Sequence, residues 1–172
     1  IYTSPHIQKI NERFIFNDIE ISDNNLSDLL IEVENVNNGE PITYFEILTA
    51  AYFYHASKFK DKINIIESGL FHRFDATNII DNNLSSIVTS IGLDHLDWLP
   101  KNEQNIEKIV YEKTSSLLNS TIVVSKQSSD ETLNLIKKSI NNNQSKKIIY
   151  KDDFNYSLSE NGFIYYEDEY GG

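Results

Sequence analysis

Cysteine and methionine are absent from this chain of 172 residues. Without cysteine there is no disulfide framework, no thiolate zinc site and no thiol nucleophile. Methionine is missing even at position 1, so Ile1-Tyr2-Thr3 is expected not to be the natural start. No apolar run approaches the roughly 20 residues that span a bilayer, and no signal-peptide pattern opens the chain. The expectation is a soluble, cytoplasmic monomer. A basic excess is lacking too: 15 Lys and Arg stand against 26 Asp and Glu, a formal net charge of −11. That argues against nucleic-acid backbone binding, which works by cationic displacement of counterions. It leaves room for an anionic small molecule, for which a few local donors suffice. Glycine occurs only at positions 39, 69, 92, 162, 171 and 172, and none precedes a lysine and a Ser/Thr as a phosphate loop requires.

What is present is ordinary for a globular protein, with 40% hydrophobic and 24% charged residues. Residues 13–22 alternate around Asn17-Asp18 and predict a hairpin. Residues 23–40 are Asn-rich and read as a weak helix followed by a loop. Thr43 and Glu46 have capping-box spacing, and Phe45, Leu48, Tyr52, Ala56 and Phe59 share one face of a helix over 43–60. Short strands are predicted at 63–66, 87–91, 121–125 and 147–150, with helices over 105–118 and 130–140 between them. A second hairpin closes the chain around Glu160-Asn161-Gly162. Alternating strands and helices predict an α/β fold with a mostly parallel sheet flanked by helices. In such a sheet ligands bind beyond the carboxyl ends of the strands.

Two polar segments come after predicted strands there, residues 67–78 and residues 92–98. Glu67 and His95 stand at those strand ends, where a carboxylate and an imidazole could share a divalent ion. Equally, Glu67 could cap a loop and His95 could be a satisfied structural histidine. Lys113 falls among Ile106, Ile109, Val110 and Leu117 on the apolar stripe of its helix. An inward lysine has a depressed pKa and an amine able to react with carbon dioxide; the alternative is an ammonium that snorkels to solvent. Ser4, before Pro5, reads as a turn hydroxyl, and Glu46 as a helix cap. His6, His55 and His72 show no ligand spacing.

Several segments, in this order, carry a resemblance: Tyr2-Thr3-Ser4-Pro5-His6, Asn11-Glu12-Arg13-Phe14, Thr43-Tyr44-Phe45-Glu46 with Leu48-Thr49-Ala50, residues 67–78, residues 89–99, and Glu112-Lys113. The chain resembles the folylpolyglutamate synthase/dihydrofolate synthase family of the Mur ligase superfamily over residues 1 to about 125. Asp94-His95-Leu96-Asp97-Trp98 is similar to the bifunctional bacterial members in particular. The resemblance implies an incomplete Mur-ligase-like central ATPase domain over 1–172, with no second domain. It implies a ligase that phosphorylates the carboxylate of dihydropteroate or a folate with ATP, after which the amine of glutamate displaces phosphate. It also implies Ser4, Glu67 and His95 as Mg2+ ligands, and Lys113 as a carbamylated lysine serving a second metal. Thr43, Tyr44, Phe45 and Glu46, with Phe74, Asp75 and Ala76, are implied as contacts to the pterin or pteroate.

Departures from the family pattern are equally specific. The Gly-Thr-x-Gly-Lys-Gly-Ser phosphate loop, upstream of Thr-Ser-Pro in the family, is absent, as are the downstream nucleotide segment and the glutamate-binding domain. The family's Gly-Leu-Gly-Gly-Arg-Leu-Asp reads here Gly69-Leu70-Phe71-His72-Arg73-Phe74-Asp75. If those glycines need positive φ or close backbone approach, Phe71 and His72 fit poorly. The Ala-Gly after the family's lysine is Thr114-Ser115. The expectation is a ligase segment inactive alone; the alternatives are a decayed non-catalytic remnant and a pterin-binding module.

Overall fold

The computed structural model describes residues 1–118 and 120–171. It divides into two compact units, Ile1–Ile79 and Ile80–Gly172.

The first unit is built around Tyr2. Its backbone bridges Phe14 antiparallel on one side and Ile66 parallel on the other. The hairpin of β1 (Ile15–Phe16) and β2 (Ile19–Glu20) turns at Asn17-Asp18, both with positive φ (52° and 63°). That is the twist a two-residue antiparallel turn favours, and Asn and Asp tolerate it. α1 (Asp23–Asn37) is a full 15-residue helix rather than a weak one. Ser22 caps its start by accepting the Asn25 N–H, and Asn38 ends it in the left-handed region. Leu26, Leu29 and Val33 are its buried face. α2 (Tyr44–Ala56) begins with the expected capping box: Thr43 accepts from the Glu46 N–H at 3.2 Å, and Glu46 accepts from the Thr43 N–H at 2.8 Å. Leu48, Ala51, Tyr52 and Ala56 are buried, whereas Phe59 lies beyond the helix and is exposed. The two helices and the Tyr2, Phe14 and Ile21 side chains form one apolar cluster. The strand predicted at 63–66 is not formed. Only Ile66 makes a bridge, and Ile63 and Ile65 face solvent, because no second strand continues the ladder beyond Tyr2.

The second unit carries the parallel sheet. β3 (Ser85–Val88), β4 (Thr121–Val124) and β5 (Lys147–Ile149) lie in the order β3-β4-β5, all parallel. α3 (Ile106–Thr114) connects the first pair and α4 (Asp130–Ile140) the second, and the two helices pack on each other. Register aligns Val88 with Val124 and Val124 with Ile149. These residues, with Ile122, are buried together with Ile109, Val110, Leu133, Ile136 and Ile140. The opposite face is open at Ile87, which is 69% exposed. Thr114 Oγ bonds the Val110 carbonyl and lies 2.7 Å from Ser139 Oγ, tying α3 to α4. Past the strand ends, Gln127 closes the rim: its amide donates to the Thr89 and Ser125 carbonyls and accepts the Ile91 N–H. β6 (Phe154–Leu158) and β7 (Ile164–Asp168) form the terminal antiparallel hairpin, with Gly162 at φ +80° in the turn. Among the described residues no helix is long and apolar enough to cross a membrane.

Candidate functional site

In the first unit the pairing of Tyr2 with Ile66 sets the course of the chain just after each of them. The Tyr2 N–H donates to the Ile65 carbonyl and the Glu67 N–H to the Tyr2 carbonyl. Ser4 is thereby carried alongside Glu67, and the Ser4 N–H donates to the Glu67 carboxylate at 2.8 Å. A half-buried hydroxyl residue and an exposed carboxylate therefore meet at one place. Such oxygen donors suit a hard divalent cation.

From Glu67 the chain enters a loop organised by Asp75, whose side chain is 9% exposed. One carboxylate oxygen accepts the Gly69 and Leu70 N–H groups at 3.1 and 2.9 Å. The other accepts the Thr77 N–H at 3.0 Å and the Thr77 hydroxyl at 2.5 Å. Four donors fill the lone pairs that one carboxylate offers. Asp75 thus holds the loop closed, with Phe74 exposed under the Arg73 guanidinium at 4.3 Å and Ala76 half-buried.

This loop lies on α2. A methyl group at Gly69 would stand 2.5 Å from Cζ of Phe45 and 3.0 Å from Oδ2 of Asp75, so only glycine permits the approach. Phe45 is turned inward and Tyr44 is 58% exposed. Thr43 and Glu46 serve each other as caps, and the Thr43 side chain and N–H hold the Glu46 carboxyl below its usual range.

Two residues further on, Phe71 has φ +58°. The left-handed region costs a non-glycine residue about 1–2 kcal/mol, as the bulky-for-glycine departure suggested it should. His72 does not share that conformation. Its Nδ1 lies 3.2 Å from the Ser68 hydroxyl, and burial lowers its pKa. Since both lose the ring, Phe71→Gly is expected to be more stable than Phe71→Ala by about 1 kcal/mol. Urea denaturation midpoints of the two variants check this; the ordinary order, with alanine more stable, would remove the strain.

In the second unit His95 is exposed, stands at φ +54° ahead of a short 3-10 turn over Leu96–Trp98, and has Nε2 3.1 Å from the Asp94 carboxylate. Lys113 is half-buried in the last turn of α3. The stripe expected to include it is shorter than predicted, because the helix ends at Thr114 and Leu117 lies past it. Among the described residues no group of three or more His, Cys, Asp or Glu side chains gathers as a metal cluster.

Sequence reasoning quoted Arg13 within a family segment but gave it no role of its own. It is one of only two arginines in a strongly acidic chain, with Arg73 the other, and it is buried. That scarcity was the available signal. It also missed the anchoring of Glu12, whose carboxylate takes the N–H groups of Ile7, Gln8 and Lys9 and has its pKa lowered by them.

No family model matches the chain. The dihydrofolate synthase/folylpolyglutamate synthase of Buchnera aphidicola subsp. Schizaphis graminum is 42% identical over 101 residues, 58% of this chain and 23% of the relative. That of Bacillus subtilis is 35% identical over 144 residues, 79% of this chain and 32% of the relative. The solved structure of Escherichia coli FolC in complex with DHPP and ADP matches 99% of this chain and 39% of that one, with a TM-score of 0.82 at 28% identity. The chain spans about a quarter to a third of the length of these curated relatives.

Proposed function

This chain belongs to the dihydrofolate synthase/folylpolyglutamate synthase family, and we propose that it carries the pteroate-binding and part of the magnesium-binding machinery of an ATP-dependent ligase. The ligase adds L-glutamate to dihydropteroate or tetrahydrofolate through an acyl phosphate. Residues 1–172 then form part of its central ATP- and folate-binding domain. The observation that supports this best is the meeting of Ser4 with Glu67, because the same two residues are the metal ligands that family resemblance implies.

Ser4 and Glu67 are the magnesium ligands this reading assigns in the first unit, and the family resemblance also implies His95. The bound ion supplies charge neutralisation for the phosphates of ATP and the developing anionic centre. The Ser4 N–H orients the Glu67 carboxylate by taking one of its oxygens. Lys113 is the assigned site of carbamylation: its neutral amine adds carbon dioxide and releases a proton, giving an anionic oxygen donor. Tyr44 and Phe74 offer exposed aromatic faces for the pterin or aryl ring, and stacking on such faces is favourable. Thr43, Phe45, Glu46, Asp75 and Ala76 shape that pocket, with Asp75 fixing the loop and Phe45 seated on Gly69. ATP and glutamate are the remaining substrates.

Calorimetry with the 172-residue chain tests the reading. Dihydropteroate is expected to bind, ATP with magnesium is expected not to bind measurably, and no glutamate is expected to be incorporated. ATP-dependent glutamate incorporation by this chain would sink the expectation of inactivity. The strained Phe71, where the family pattern has glycine, favours a second reading, a remnant without catalysis. Failure of dihydropteroate to bind would favour that second reading.

A further inference from the structure

The loop that Asp75 holds closed also brings a hydroxyl to an imidazole. Ser68 and His72 are both half-buried, and Ser68 Oγ lies 3.2 Å from His72 Nδ1. Thr77 Oγ1 lies 3.5 Å from Ser68 Oγ, and its own proton goes to Asp75 at 2.5 Å. The Ser68 proton is left for the nearer and more basic acceptor, His72 Nδ1. Burial lowers the His72 pKa and outweighs the opposing charge of Asp75, so the ring is neutral at neutral pH. A neutral imidazole that accepts from a serine hydroxyl is a base in contact with a nucleophile. The pair is a property of this chain, since His72 stands where the family pattern has glycine. What the pair lacks is an oxyanion site. The Gly69 and Leu70 N–H groups beside it donate to Asp75 and are not free to stabilise a tetrahedral oxyanion. Attack by Ser68 therefore requires a carbonyl that already carries a good leaving group. Ser68 directly follows Glu67, the carboxylate that meets Ser4.

We propose that Ser68 is a nucleophile with His72 as its base, and that it accepts the acyl group of an acyl phosphate. The pairing of the two side chains stands on the loop geometry; the choice of donor rests on the ligase reading of the neighbouring Glu67. His72 Nδ1 takes the hydroxyl proton as Ser68 Oγ bonds to the acyl carbon. The bond between that carbon and the phosphate oxygen breaks, and phosphate leaves with the electron pair. The products are an O-acyl serine and inorganic phosphate, and His72 returns its proton to solvent. Hydrolysis of the ester would expel an alkoxide with no oxyanion donor in place, so the acyl-serine accumulates instead of turning over.

The test is incubation of the full chain with acetyl phosphate, with acetyl groups located by peptide mass spectrometry. Ser68 is expected to be acetylated about 100-fold faster than exposed serines elsewhere in the chain, the lower end of what a positioned base contributes. His72→Gln, which keeps a polar side chain but no basic nitrogen, is expected to slow Ser68 by about the same factor of 100 and to leave lysine acetylation unchanged. Acetylation of Ser68 at the rate of the other serines overturns the proposal, and so does an unchanged Ser68 rate in His72→Gln. Should that variant fail to fold, the comparison among serines in the wild-type chain decides alone. Dihydropteroate calorimetry on the same protein separates this proposal from the ligase reading. Fast acetylation of Ser68 without dihydropteroate binding supports the nucleophile and removes the pteroate reading. Dihydropteroate binding with Ser68 unreactive overturns the nucleophile and leaves that reading standing.

Discussion

Asp75→Ala is expected to lower stability by about 3 kcal/mol or more and to abolish dihydropteroate binding. The carboxylate is buried and accepts four hydrogen bonds, three of them from backbone N–H groups of Gly69, Leu70 and Thr77. A hydrogen bond to a charged acceptor contributes roughly 1.5–3 kcal/mol, and an orphaned buried donor costs about 1–3 kcal/mol. Some of those donors will recover water once the loop opens, which is why the expected loss is below their sum. Asp75→Asn separates charge from shape. Its amide keeps one acceptor oxygen but turns an NH2 toward either Gly69 and Leu70 or Thr77, so a loss between wild type and alanine is expected. Urea denaturation and calorimetry read the two effects. A destabilisation below about 1 kcal/mol for the alanine variant would mean that the loop does not depend on this carboxylate.

Tyr2→Ala is expected to cost about 3–5 kcal/mol, the range for deleting a large buried aromatic side chain. Tyr2 is fully buried, stacks on Tyr52 at 5.0 Å, meets Phe14 edge-on at 5.5 Å and lies 6.1 Å from Phe45. Its hydroxyl is 3.1 Å from Thr49 Oγ1, and burial raises its pKa. Tyr2→Phe, which keeps the ring and loses the hydroxyl's contacts with Thr49 and Arg13, is expected to cost about 1–2 kcal/mol. The readout is again the urea midpoint, and near-equal losses for the two variants would mean that the ring packing contributes little. The position also matters beyond packing. Tyr2 carries Phe14 on one edge and Ile66 on the other, so a slip there moves Ser4 away from Glu67.

Much of this was legible where local chemistry decides. Asn17-Asp18 announced a turn that needs positive φ, and Thr43 with Glu46 announced a helix start; both form as read. The parallel sheet was implied by alternating apolar runs, with ends misplaced by one to three residues. α1 was underestimated because its asparagines weigh against helix, although Ser22, Leu26, Leu29 and Val33 held the cap and the face. The strand at 63–66 was wrong for a different reason. Apolar residues form a strand only if a partner is available, and a single bridge to Tyr2 is all that Ile66 finds. At the site, sequence pattern singled out Glu67 at an expected strand end, whereas Ser4 was reached only through family resemblance. Their contact depends on residues 63 apart in the chain. Asp75 as loop organiser and Arg13 as a buried cation are likewise tertiary facts, invisible to periodicity.

The glutamine at the sheet's rim has a dynamic consequence. Beyond Val88 and Val124 the ladder is continued by the Ser125 N–H on the Val88 carbonyl, and after that by the Gln127 side chain alone. A backbone rung opens only when strands separate, whereas a side-chain rung opens with a rotamer change. The Ile91 amide is therefore released to solvent exchange by a local event that leaves β3 and β4 paired. The segment from Gly92 to His95 follows directly on that side-chain rung, so the exchange rate of the Ile91 amide reads how often the rung opens.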